Sequence, residues 1–210
     1  MITVYTCLVG NRDEPLLQQT PKGVELKVFR DDYDKFKDNR RNSRIQKILA
    51  HQYIDTEHSI YIDANIRLMV DPQTLIDKYL VDCDLAVMKH PTRDCLYDEA
   101  MTCAKRGLDD VETIIKQAKT YEDDGFAKHK GLGECNIILR RHTPKVEEFN
   151  NAWWSEYCVH SRRDQISFPY AVDKVGISVK LIPDYFVETS PLTAIKQSED
   201  FEIVAHTKNI

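Results

Sequence analysis

Short runs of β-branched and apolar residues alternate along this chain with longer amphipathic stretches. That alternation predicts an α/β fold with a mostly parallel central sheet flanked by helices. Residues 2–9 and 24–30 read as strands, with a polar, Pro-containing loop between them. Asp38-Asn39 is suited to cap a helix over 40–54. Ser59-Ile60-Tyr61-Ile62 is a short buried strand, followed by a turn and the extended piece 66–70. Asp71-Pro72 starts a helix, with Asp as cap and Pro where its missing N–H costs nothing. Residues 84–88 form another core strand, and 94–122 read as two helices broken near Gly107. A Gly-containing linker over 123–134 leads into a strand at 135–140. Helices are then predicted from Thr143-Pro144 to about 158 and from Ser161 to about 175. The tail reads as short extended pieces ending at Phe201–His206.

A length of 210 residues predicts one domain spanning 1–210. The formal net charge of -5 argues against a general nucleic-acid binder. No apolar run approaches the roughly 18 residues of a membrane span. The first strand lacks the basic start and small-residue cleavage site of a secretory signal. The six cysteines are scattered without a C-x-x-C pair, so reduced thiols and a cytoplasmic location are expected.

Three features carry chemistry. Arg40, Arg44, Lys47 and His51 are spaced 4, 3 and 4 apart, so on one helix they form a stripe opposite Ile45, Ile48, Leu49 and Tyr53. The stripe is either a solvated basic face or a diphosphate clamp, since Arg forks and Lys charges match phosphate oxygens. In Tyr61-Ile62-Asp63-Ala64-Asn65, a buried strand delivers an acid to the end where open α/β sheets bind ligands. Asp63 and Asn65 then hold a hard cation or serve as turn residues. Ser161-Arg162-Arg163-Asp164 fits a capping box, or presents Asp164 as a carboxylate for an acceptor hydroxyl.

Thinner candidates are His90, Arg93 and Glu99 after a core strand, and the pair Trp153-Trp154. Neighbours on a helix differ by 100°, so both indoles cannot face the core, and one can serve as a sugar platform or pack at the helix edge. His206 stands in an apolar tail.

Taken in order, these landmarks resemble a known family. They are Arg44-x-x-Lys47-x-x-x-His51, Tyr61-Ile62-Asp63-Ala64-Asn65 and His90-x-x-Arg93-x-Cys95-x-Tyr97-x-Glu99-Ala100. Gln117-x-x-x-Tyr121, Ile138-Leu139-Arg140-Arg141-His142, Trp153-Trp154-x-Glu156 and Ser161-x-Arg163-Asp164-Gln165-x-Ser167-Phe168 follow. The chain is similar to the glycosyltransferase-like family catalogued as domain of unknown function 616. The resemblance runs from about residue 40 to 172, with the first strand also fitting.

The resemblance implies a GT-A-like nucleotide-diphospho-sugar transferase fold. It implies transfer of a sugar from a nucleotide-sugar, UDP-linked, to an acceptor hydroxyl with Mn²⁺ or Mg²⁺. Asp63 and Asn65 match the metal motif, with Asn65 where a second Asp is usual, and His206 is the residue placed to complete it. Asp164 matches the catalytic acid, either as base toward the acceptor or as stabiliser of an oxocarbenium-like species. Arg44, Lys47 and His51 would bind the donor diphosphate, with Thr6, Val9 and Asp31 walling base and ribose. The acceptor, a glycan, a lipid-linked sugar, a protein or a hydroxylated base, would approach over Trp153, Trp154 and the His90–Glu99 turn. Two rivals stand beside this reading. One is a non-catalytic nucleotide-sugar or glycan binding module on the same fold. The other is a metal-dependent phosphohydrolase or nuclease, whose usual cluster of acids around two metals is not found in the sequence.

Overall fold

The computed structural model describes residues 1–8, 14–16, 18–30, 33–183, 187–190 and 195–205, with backbone alone for 187–190 and 195. Ten strands and seven helices run in chain order through the described residues. Strands β1 (Ile2–Leu8), β2 (Val24–Arg30), β3 (His58–Ile62), β5 (Leu85–Lys89), β6 (Gly133–Arg141) and β7 (Val179–Ile182) form a six-stranded sheet in the order β2-β1-β3-β6-β5-β7. β1 pairs parallel with β2 and β3, and β5 parallel with β7, while β6 runs antiparallel to both its neighbours. The expected mostly parallel sheet is therefore observed, with one reversed strand near its centre.

The reversal positions the site. Between β5 and β6 the chain folds α4 (Leu96–Lys105) and α5 (Val111–Asp123), then re-enters at the edge where β5 ended. The first residues of β6 consequently lie beside the carboxyl ends of β3 and β5. There Asp63 N–H donates to Asn136 O at 2.9 Å and His90 N–H to Leu132 O at 2.9 Å. Gly133 makes this entry feasible, because a Cβ there would stand 2.7 Å from Val87 Cγ1.

Period-two alternation divides the sheet into two faces. Tyr5, Tyr61, Val87 and Ile138 pack with Phe149 and Trp153 of α6 (Pro144–Val159) and Phe168 of α7 (Asp164–Val175). On the other face Val4, Ile62, Met88 and Leu139 meet Leu75 and Ile76 of α3 (Pro72–Tyr79). That face also carries a second sheet, β4 (Ile66–Leu68), β10 (Phe201–Ile203), β9 (Ile195–Gln197) and β8 (Val187–Ser190), in that order. The predicted starts at Asp71-Pro72 and Thr143-Pro144 hold. Asp71 accepts from Gln73 N–H, Thr143 accepts from Val146 N–H, and each has Pro at the first turn.

The expected helix over 40–54 is broken into α1 (Asn39–Asn42), α2 (Ile45–Ile48) and a 3₁₀ turn at Ala50–Gln52. Asp38 does cap the first turn. Ser43 Oγ then bonds back to Arg40 O at 2.9 Å, and Asn42 engages the Phe36 backbone through both amide atoms. Such local side-chain bonds compete with helix continuation. The basic stripe accordingly does not form. Arg40 reaches Leu108 O, His51 turns toward Asn150, and only Arg44 and Lys47 stay together.

Candidate active site

The carboxyl edge of β1 and β3 carries a buried polar cluster. Lys47 is only 2% exposed, and its Nζ lies 2.6 Å from Asp164 Oδ2, with Arg44 Nε 3.0 Å from the same oxygen. Lys47 Nζ also sits 4.9 Å from the centre of the Tyr61 ring, whose Oη donates to Asp63 Oδ1 at 2.7 Å. Arg44 is within electrostatic range of Asp164, Tyr61 and Asp63. The structure thus brings Arg44, Lys47, Asp63 and Asp164 together at the predicted end of the sheet.

Asp164 is 5% exposed and begins α7. Burial would raise its pKa, but the charges of Lys47 and Arg44 and the Lys47 hydrogen bond outweigh burial and hold it well below the usual carboxylate range. The capping-box reading does not hold. Arg163 is the cap residue and makes no side-chain cap bond, while Ser161 Oγ donates to Gln117 Oε1 at 2.6 Å. Gln117 also donates to Tyr121 Oη, which donates to Glu156 Oε2 at 3.1 Å. This buried chain ties α5 and α6 to the segment that delivers Asp164.

Other expected positions divide. Thr6 lies on the opposite face from Tyr5 and lines a cavity of about 200 Å³ with Val4, Leu16, Val28 and Ile62, meeting the polar cluster at Asp63. Thr6 Oγ1 is buried without a hydrogen-bond partner there. Asn65 Nδ2 donates to Val204 O at 2.8 Å, and Asn65 O accepts from Val204 N–H, so this residue anchors the tail. His90, Arg93 and Glu99 form their own cluster. Arg93 Nε donates to the buried Glu99 at 2.7 Å, and Arg93 NH2 contacts the His90 ring at 2.8 Å. Glu99 is therefore bound inside the protein, and Arg93 is its more exposed member.

The acceptor-platform reading of Trp153 is corrected. It is 0% exposed, stacks on Phe149, and its Nε1 donates to Asp164 O and Ser167 Oγ. Trp154 is half-buried against Phe36 and Tyr157. Val9, Asp31 and His206 lie outside the described residues.

Two contributors carried no role in the sequence reading. Tyr61 orients Asp63. Arg140, 0% exposed, donates to Lys47 O at 3.0 Å, Tyr5 Oη at 3.1 Å and Asn150 Oδ1 at 3.2 Å, fixing the backbone that presents Lys47. A charged residue continuing an apolar strand was the available signal, since Arg is almost never fully buried unless partnered. Burial pushes the Cys7 thiol up to about 12 and Cys135 well above its ordinary value, so neither is a nucleophile at neutral pH.

The end of β6 away from the site has an acid-sensitive point. His142 Nε2 lies 2.8 Å from Ser59 Oγ, and its Nδ1 is buried without a partner. Burial, then the Arg140 charge, lowers its pKa from 6.5 to about 4, and burial also lowers His51 and His58. A depressed folded-state value favours the neutral ring. The stability it contributes is present above about pH 6.5 and lost as pH falls toward 4. The loss expected from His142 alone is about 3 kcal/mol. Urea unfolding at several pH values should show this decline, and His142→Asn should flatten it. An unchanged slope would refute the assignment.

The TOD1/MUCI70 glycosyltransferase-like domain matches residues 25–198. The chain belongs to that family. Among its curated relatives is a probable hexosyltransferase, MUCI70 of Arabidopsis thaliana, 27% identical over 164 residues. That match covers 73% of this chain and 28% of the relative. Another is the alkaline ceramidase TOD1 of the same plant, 31% identical over 152 residues, covering 67% of this chain and 33% of the relative. The chain therefore spans about a third of the length of each. Mouse xyloside xylosyltransferase 1 superposes with a TM-score of 0.43 at 9% identity, over 75% of this chain and 63% of that one, too loosely to bear on function. No helix among the described residues is long and apolar enough to cross a membrane.

Proposed function

We propose that this family member transfers a sugar from a nucleotide-sugar donor, UDP-linked, to an acceptor hydroxyl. The observation that carries the reading is the convergence of Arg44, Lys47, Asp63 and Asp164 at the carboxyl edge of the sheet. Arg44 and Lys47 stabilise negative charge on the departing nucleoside diphosphate. The Thr6 cavity, which reaches Asp63, receives the nucleoside. Asp63 and the Oδ1 of Asn65 are hard oxygen donors of the kind that suits Mn²⁺ or Mg²⁺ shared with phosphates and water. Such an ion, when bound, neutralises diphosphate charge.

Two cations on one carboxylate oxygen reduce its affinity for a proton. Asp164 therefore serves as a fixed anion toward positive charge developing at the anomeric carbon, in preference to a proton acceptor. Six free cysteines suit a reducing, cytoplasmic setting.

A thermal-shift screen of nucleotide-sugars with Mn²⁺ tests the donor. Ligand at 100 times its dissociation constant adds about 2.7 kcal/mol of stability. Calorimetry of UDP with and without Mn²⁺ then tests the metal, with Asp63→Ala expected to abolish the metal-dependent part. Equal affinity in both conditions would remove the metal from the proposal. Fatty-acid release from ceramide without any sugar transfer, the activity named for the second relative, would overturn the transferase reading. Donor binding without transfer or hydrolysis would favour the binding-module rival.

A further inference from the structure

A second ligand set lies outside the proposed active site. Cys95, Asp98 and His129 each offer a ligand atom, and the three atoms lie within 4.8 Å of one another. Cys95 immediately precedes α4 and Asp98 lies in its first turn, so both stand at the start of that helix. Cys95 is the cap residue, yet its thiol makes no capping bond to the helix.

His129 comes from the loop that precedes β6 and adopts φ 58°, a left-handed conformation uncommon for a non-glycine residue. Its Nδ1 lies 2.8 Å from Asp94 Oδ1, which leaves Nε2 as the nitrogen for a ligand. A carboxylate on the far ring nitrogen is the usual support for a metal-binding histidine. The loop is already docked: Gly131 N–H donates to Asp94 O at 2.9 Å and Tyr97 Oη to Phe126 O at 2.6 Å. Cys95 is 2% exposed and forms the floor, while His129 and Asp98 are exposed and form the mouth.

We propose that Cys95, Asp98 and His129 bind Zn²⁺, with Asp94 orienting the imidazole. A mixed sulfur, nitrogen and oxygen set suits this borderline-soft ion, whereas Mn²⁺ and Mg²⁺ favour oxygen ligands. On binding, the Cys95 thiol releases its proton to solvent and the thiolate donates to the metal. Three protein ligands leave a fourth position for water. The ion joins the start of α4 to the loop before Gly133, fixing the entry of β6 beside the Arg93–Glu99 cluster.

Cobalt(II) titration of the whole chain tests this. One equivalent should give a thiolate-to-cobalt charge-transfer band that Zn²⁺ displaces. His129→Gln, at an exposed position, should abolish the band while circular dichroism stays unchanged, and Cys95→Ser should do the same if it folds. Asp94→Asn should weaken Zn²⁺ affinity about 10–100-fold. Asp63→Ala should retain the band, which separates this site from the proposed donor site. Absence of the band in the wild type, or its survival in His129→Gln, would overturn the proposal.

Discussion

Replacing Asp164 by asparagine is expected to reduce turnover by about 10²–10³, the range for losing one preorganised electrostatic contact in an active site. Stability should fall with it. Lys47 and Asp164 are both buried, and removing one member of such a pair leaves an uncompensated charge, at about 3–5 kcal/mol. For a chain of this size that is about 6–20 °C in Tm. The two effects are separable in Lys47→Met/Asp164→Asn, where the stranded lysine is gone. Recovery of Tm without recovery of turnover would place the Lys47–Asp164 pair in the chemistry, and recovery of both would reduce it to a structural ion pair. The pH profile discriminates further. With its proton affinity lowered, Asp164 should give kcat no acid limb between about pH 5 and 7. A limb there that disappears in Asp164→Asn would show that its proton affinity is not lowered, removing the ground for preferring the fixed anion over the general base.

Trp153→Ala should be among the most damaging single changes, at about 3–5 kcal/mol. The indole fills the space between Phe149 and Phe168, and its N–H holds the Asp164 carbonyl. Truncation therefore opens a cavity and loosens the helix start that carries Asp164. Trp154→Ala, at the half-buried neighbour, should cost less than half as much. Paired thermal melts decide this, and equal losses would show that the burial of the two rings is misassigned. Because Trp153 lies inside the protein, any loss of glycan affinity in Trp153→Ala should follow its loss of folded protein.

Much of the fold was legible because its signals are local. Strand patterns at β1, β3 and β5 and the Asp71-Pro72 and Thr143-Pro144 starts each act over a few residues. The helix over 40–54 was misread because a repeating spacing says nothing about Ser43 and Asn42 bonding back to the chain. The same limit hid the burial of Lys47, which the spacing placed on a stripe that was either solvated or a diphosphate clamp and the fold pairs with Asp164 inside the protein.

Asp63 at the end of a buried strand was determined by sequence alone, through strand propensity and a turn directly after it. What that strand end faces was decided elsewhere. β6 enters reversed because α4 and α5 return the chain to the same edge, and Asp164 meets Lys47 across 117 residues of sequence. Which of two adjacent tryptophans is buried, and whether Ser161 caps a helix or bonds Gln117, depended on neighbours from distant elements. Propensity and capping are energies of adjacent residues, whereas a buried charge finds its partner only when packing brings the elements together.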